Sequence, residues 1–199
     1  MIDTHRFKEL LARFEPVSEF AREIPESVPL SEAEIDAFEG RMGFPVPDDL
    51  REWLGSVNGA FVGTVVSFGV RTSEPFLDME SILNIFTSWR EKKWLPVGND
   101  GCGNYYVMIT QGEYGEGFPI VFVEAVVDHQ TPRYIVASDL GHFLIFLAED
   151  ELESELSDEL EIGPSAWFDK QKVTHDDPAI LRFHGIALPW EVDNNPEQI

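Results

Sequence analysis

Cysteine is almost missing from this 199-residue chain: Cys102 stands alone, so no internal disulfide framework can hold the fold. Positive charge is scarce as well. Fourteen Lys and Arg face 37 Asp and Glu, a net of 14 − 37 = −23. A surface of that sign repels a phosphate backbone, which argues against direct nucleic-acid binding. No stretch approaches the roughly 18 uninterrupted apolar residues of a membrane-spanning helix, so no membrane partner is expected. The opening MIDTHRFKELLARFE carries acids and no apolar run, unlike a secretory signal. Internal repeats are absent. These absences lead to the expectation of a soluble, cytoplasmic protein.

What is present suffices for a core. Hydrophobic residues make up 43% of the chain and aromatic residues 12%, which excludes global disorder. The length fits one domain, or one domain with an appendage. The acid is unevenly spread. Residues 1–99 hold ten basic and 17 acidic side chains, a net of −7, whereas residues 100–199 hold four and 20, a net of −16. Such a surface steers cationic partners inward, although acidity also serves solubility alone.

Hydrophobic spacing places the elements. Phe7, Leu10, Leu11 and Phe14 predict a helix over 4–15, followed by a linker punctuated by Pro16, Pro25 and Pro29. Ser31 and Glu34 form a capping box for a second helix, with Ile35, Phe38 and Met42 inward and Gly43 as its stop. Asp48 opens a third, with Leu50, Trp53, Leu54 and Val57 inward, ended by Asn58-Gly59. A strand is expected over 61–68 and a helix over 78–90. Further strands are expected over 94–97, 105–109, 118–127 and 134–137, separated by short glycine-bearing turns that favour antiparallel pairing. Ser138 is read as the cap of a helix through Leu147. Over 149–161, EDELESELSDELE places eight acids in thirteen positions around Leu152, Leu156 and Leu160, which predicts an acidic helix with a narrow apolar seam. Residues 163–199 are less periodic, yet Trp167, Phe168, Phe183 and Trp190 imply that part of them docks on the body.

Three phrases in order resemble the SUKH superfamily, which includes Smi/Knr-type cell-wall regulators of fungi and many bacterial immunity proteins. The first is IDAFEGRMGFPVPDDLREWLGSVNGA over 35–60. The second is WLPVGNDGCGNYYVM over 94–108. The third is PIVFVEAVVDH at 119–129 followed by IVASDLGHFLIFL at 135–147. The resemblance covers about 30–148. It implies an α+β fold, with helices packed against a curved, mainly antiparallel sheet, here carrying an acidic C-terminal helical extension. Residues 1–29 would then be an N-terminal helix and linker, 30–148 the core domain, and 149–199 an extension packed on it. It further implies a protein that binds rather than catalyses, either neutralising a cognate toxin, often a nuclease, or acting as a regulatory scaffold. An acidic binder matches a basic toxin.

Candidate site residues follow. The glycine-rich stretch 98–104 leads into a strand and lacks a Lys, unlike a phosphate cradle. It reads as a tight turn with positive φ at Gly101 or Gly103, and the resemblance makes it the wall of a partner-binding cleft, with Asp100 and Asn104 as the residues to test. Alternation on 105–109 puts Tyr105, Val107 and Ile109 on one face and Tyr106 and Met108 on the other. Both faces are apolar, so a helix must cover one, and a partner or the C-terminal segment the other; Tyr106 is therefore a candidate contact. Trp53, Phe61, Trp89, Trp94, Tyr105 and Tyr106 all sit on regular faces and read by default as core. Glu151, Glu155 and Glu159 on the acidic helix are either a solvated face or an electrostatic lure for the partner. A nucleophile built on Cys102 and His129 lacks any surrounding cysteine-enzyme signature. His175-Asp176-Asp177 lacks metal-ligand spacing. No cofactor, no metal and no catalytic residue are expected.

Overall fold

The computed structural model describes residues 4–13, 27–62, 65–71, 73–156 and 166–192. Six strands form one sheet in the order of the chain: β1 (Ala60–Val62), β2 (Val65–Ser67), β3 (Leu95–Asn99), β4 (Tyr105–Met108), β5 (Ile120–Val123) and β6 (Tyr134–Ala137). Every neighbouring pair is antiparallel, and all the connections are short except 68–94, between β2 and β3, which carries two helices. Eight α-helices lie among the described residues: α1 (Thr4–Leu11), α2 (Glu32–Met42), α3 (Asp48–Ser56), α4 (Met79–Ile85), α5 (Thr87–Lys92), α6 (Ala125–Asp128), α7 (Leu140–Leu156) and α8 (Lys170–Asp176). The fold is α+β, with an open antiparallel sheet.

The sheet is covered on both faces. On β4, Tyr105 meets Phe86 and Trp89 at centroid distances of 5.1 and 5.5 Å, so the α4–α5 pair covers that side. Tyr106 faces the other way onto Phe143 of α7, at 4.9 Å. α1 packs across α7, and its fully buried Phe7 meets Trp53 of α3 edge-on at 5.3 Å. Trp53 in turn donates Nε1–H to the Phe68 carbonyl at 2.8 Å, which fixes α3 against the chain leaving β2.

Local chemistry explains the boundaries. In the capping box, the Glu34 carboxylate accepts from both the amide and the hydroxyl of Ser31, at 2.8 and 2.7 Å. Gly43 ends α2 at φ 78°, with its amide on the Glu39 carbonyl, and Asn58 and Gly59 follow α3 at φ 58° and 88°.

Several expected elements are divided or joined. The strand expected over 61–68 is the hairpin β1–β2, in which Val62 pairs with Val65. The helix expected over 78–90 breaks at Phe86 (φ −103°, ψ 71°), whose ring leaves the helical path to meet Tyr105 of β4 edge-on at 5.1 Å while stacking on Trp89 at 4.3 Å. The strand expected over 118–127 stops at Val123, the last residue with a partner on β4, and the chain turns into α6. Ser138 is not the cap of α7. Its amide donates to Asp177 at 2.7 Å, and the Asp139 carboxylate caps by accepting the His142 amide at 2.9 Å. Finally, the helix expected to end at Leu147 and the acidic helix expected from 149 are one continuous α7, because Ala148 offers nothing to break it.

The sheet margins differ. β1 is three residues long, while Ile135 on β6 donates its amide to the Ala187 carbonyl at 3.0 Å, so the C-terminal segment lies along that margin.

Candidate functional site

Register brings three connections to one end of the sheet. Asn99 pairs with Tyr105, Tyr105 with Val123, and Phe122 with Tyr134, so the turn 99–104, α6 and the run to Arg133 all gather there. The turn is built around Asp100. Its Oδ1 accepts from the amides of Cys102 and Asn104 at 2.8 and 3.0 Å, and its Oδ2 from Asn104 Nδ2 at 2.8 Å. Asn99 Oδ1 accepts from the Gly101 amide at 2.9 Å. Short acid and amide side chains hold such turns because they reach backbone N–H groups two residues on. With Gly101 at φ 75° and Gly103 at φ 95°, the positive-φ reading holds at both. The Cys102 and Asn104 amides are already taken by a carboxylate, so they are not free to receive a phosphate.

The neighbouring stretch 124–133 is tied down just as closely. The Glu124 carbonyl accepts the amides of Val127 and Asp128, both at 2.9 Å, closing the single turn of α6. Asp128 Oδ1 accepts from the Gln130 amide at 2.8 Å, which holds its carboxyl below the usual range. Arg133 pairs with Glu124 at 2.9 Å. From α5, Trp89 Nε1 donates to the His129 carbonyl at 2.6 Å and Lys92 Nζ to that of Gln130 at 2.8 Å. Yet no residue of α6 is buried, and Val126 and Val127 are 74% and 76% exposed. Gly103 lies against this turn, where a Cβ would meet a Val126 methyl at 3.2 Å.

Tyr106 lies just inside. Its ring stacks on Trp167 at 5.7 Å and 13°, so the C-terminal segment shares with α7 the covering of this face. Burial pushes its hydroxyl well above the ordinary tyrosine range, and the charges of Asp100, Asp150 and Glu151 push it further. Tyr134 is raised by burial too, opposed by Arg133 and reinforced by Asp100 and Glu124. Carboxylates from the turn, from α6 and from α7 thus act on one region. Of the residues selected from sequence, Asp100, Asn104, Tyr106 and Glu151 come together here. The side chain of Glu155 and all of Glu159 lie outside the described residues.

The remaining candidates are dispersed. Cys102 is exposed, while the His129 ring packs on Phe86 at 5.5 Å, and no bond joins the two among the described residues. Among the described residues, the His175 ring bonds to the adjacent Asp176, at 2.8 Å. No group of three His, Cys, Asp or Glu side chains stands ready for a metal ion among the described residues. His142 Nδ1 lies 2.9 Å from Asp139 and 4.0 Å from the fully buried Asp177. It borders a cleft of about 200 Å³ shared with Arg6, Phe146, Glu149 and Asp176.

Sequence reasoning missed Val126, Val127, Asp150 and the Glu124–Arg133 pair. For the valines a signal existed: a β-branched pair followed by Asp-His, read as strand, sits where no strand remains to pair with it.

No described helix is long and apolar enough to cross a membrane. The model of the SMI1 / KNR4 family (SUKH-1) matches residues 29–145, which take in the glycine-rich turn, α6 and the start of α7. Asp150, Glu151 and the C-terminal segment lie beyond the match. No curated protein matches the chain.

Proposed function

Since the chain belongs to the SMI1 / KNR4 family (SUKH-1), we propose that it is a non-enzymatic immunity protein that binds and neutralises a basic protein toxin at the acidic end of its sheet. Membership fits an immunity or regulatory protein in general; charge favours the first of these. The observation that carries the reading is that strand register gathers Asp100, Glu124 and Asp128 at one sheet end, against which α7, the helix of Asp150 and Glu151, packs through Phe143 on Tyr106, in a chain of net charge −23. Carboxylates grouped on one surface raise the rate at which a cationic partner arrives and orient it as it arrives. Short-range packing then sets how long it stays. The Asp100 turn is held by four side-chain hydrogen bonds, counting that of Asn99, so this part of the acidic rim is rigid before a partner reaches it.

The test is co-expression with a panel of basic toxin domains, nucleases among them, scored by growth. Wild-type chain is expected to rescue cells from one of them, and the triple variant Asp100→Asn, Asp150→Asn, Glu151→Gln to rescue poorly. Stable binding to several non-toxic proteins, with no toxin suppressed, would move the assignment to a regulatory scaffold.

A further inference from the structure

We propose that Val126 and Val127 are the apolar anchor by which the acidic sheet end grips its partner, a protein surface with an apolar recess rimmed by Lys and Arg. The proposal rests on the capture reading above and adds what holds the complex once charge has assembled it.

Acids on a rim chiefly set the association rate, whereas residence needs side chains that leave water entirely. The described part of the site offers few such groups. Tyr106 stacks on Trp167 at 5.7 Å, Tyr134 tilts against Phe168 at 5.9 Å, and Phe122 lies between the two tyrosines at 5.6 and 5.1 Å, so all three are already engaged. Tyr105 and Phe86 are engaged with Trp89 and His129. Only the two valines present most of their surface to solvent, at 74% and 76%. Folding does not require them there, since α6 buries none of its residues.

Their mounting is rigid. α6 is clamped by the Glu124–Arg133 pair, by Trp89 and Lys92 reaching over from α5, and by the Asp128 cap on Gln130. On the opposite side Gly103 leaves room for the Val126 methyl and for little more. A short, stiff, β-branched pair loses little conformational entropy when covered, which favours it as an anchor. The charge complement is set by Asp100, Glu124, Asp128, Asp150 and Glu151 against Lys92 and Arg133, five acids to two bases in the vicinity. A basic rim around an apolar recess answers both features.

A random peptide library displayed on phage, selected on the full chain at low and moderate salt, tests the proposal. Selected peptides are expected to join a large apolar residue to Lys or Arg, and to bind the Val126→Ser, Val127→Ser double variant at least about tenfold more weakly. The melting temperature checks that the double variant is folded, and Val127→Lys alone serves as a second probe of the same surface. Basic peptides without apolar residues that bind wild type and double variant equally would overturn the anchor and leave acidic capture standing. Uncharged apolar peptides, insensitive to salt and lost in the double variant, would overturn the basic rim and with it the capture reading. A selection that enriches nothing over the double variant overturns the anchor.

Discussion

Asp100 is a scaffold before it is a charge. Its two oxygens satisfy three N–H donors of the turn it heads, so Asp100→Ala leaves the Cys102 and Asn104 amides without acceptors. The expected cost is about 1–3 kcal/mol, read as a lower urea midpoint with an unchanged slope. His142 makes a second prediction at this scale. Its bond to Asp139, helped by the charges of Asp139 and Asp177, raises its pKa above the ordinary histidine value, against the opposing effect of burial. A raised folded pKa means the contact contributes fully below the unfolded value and fades as pH climbs through the folded one. A proton-detected titration should therefore place the His142 midpoint above that of an unperturbed histidine, and Asp139→Asn should bring it down.

At the scale of elements, what could be read depended on whether the deciding contact was local. α2 and α3 were legible down to their caps, because Ser31, Glu34, Gly43 and Asn58-Gly59 act within a few residues of themselves. The hairpin within 61–68 was legible in principle, since Gly63-Thr64 divides Phe61-Val62 from Val65-Val66. The break at Phe86 and the end of β5 were not, because each depends on a partner distant in sequence: Tyr105 for the ring, and the end of β4 for the strand. The same limit hid the site. Asp100 and Asn104 could be chosen from their turn, but the approach of α6 and α7 to that turn is a product of sheet register. Tyr106 shows both sides of this. Alternation on β4 required a cover for each face, and Trp167 supplies one of them from outside the matched family region. Trp167→Ala should cost about 3–5 kcal/mol, and faster deuterium exchange along 105–108 would show that the face had lost its cover.

For the whole molecule, charge distribution is the governing quantity. Raising ionic strength from about 0.01 to 0.15 M shortens the screening length from about 30 to about 8 Å. Association with a basic partner should then slow by about tenfold or more, with dissociation nearly constant; stopped-flow traces at several salt concentrations separate the two. The Ala187 bridge along β6 governs behaviour of another kind. Exposed strand margins are templates on which further copies can add, and long, flat margins seed fibres. Here one margin is only three residues long and the other is occupied by the chain's own C-terminal segment. A cell can therefore hold this protein at high abundance without offering it a row on which to polymerise. A single proteolytic nick that releases the segment around Ala187 would bare one four-residue margin, enough for two copies to pair edge to edge and no more.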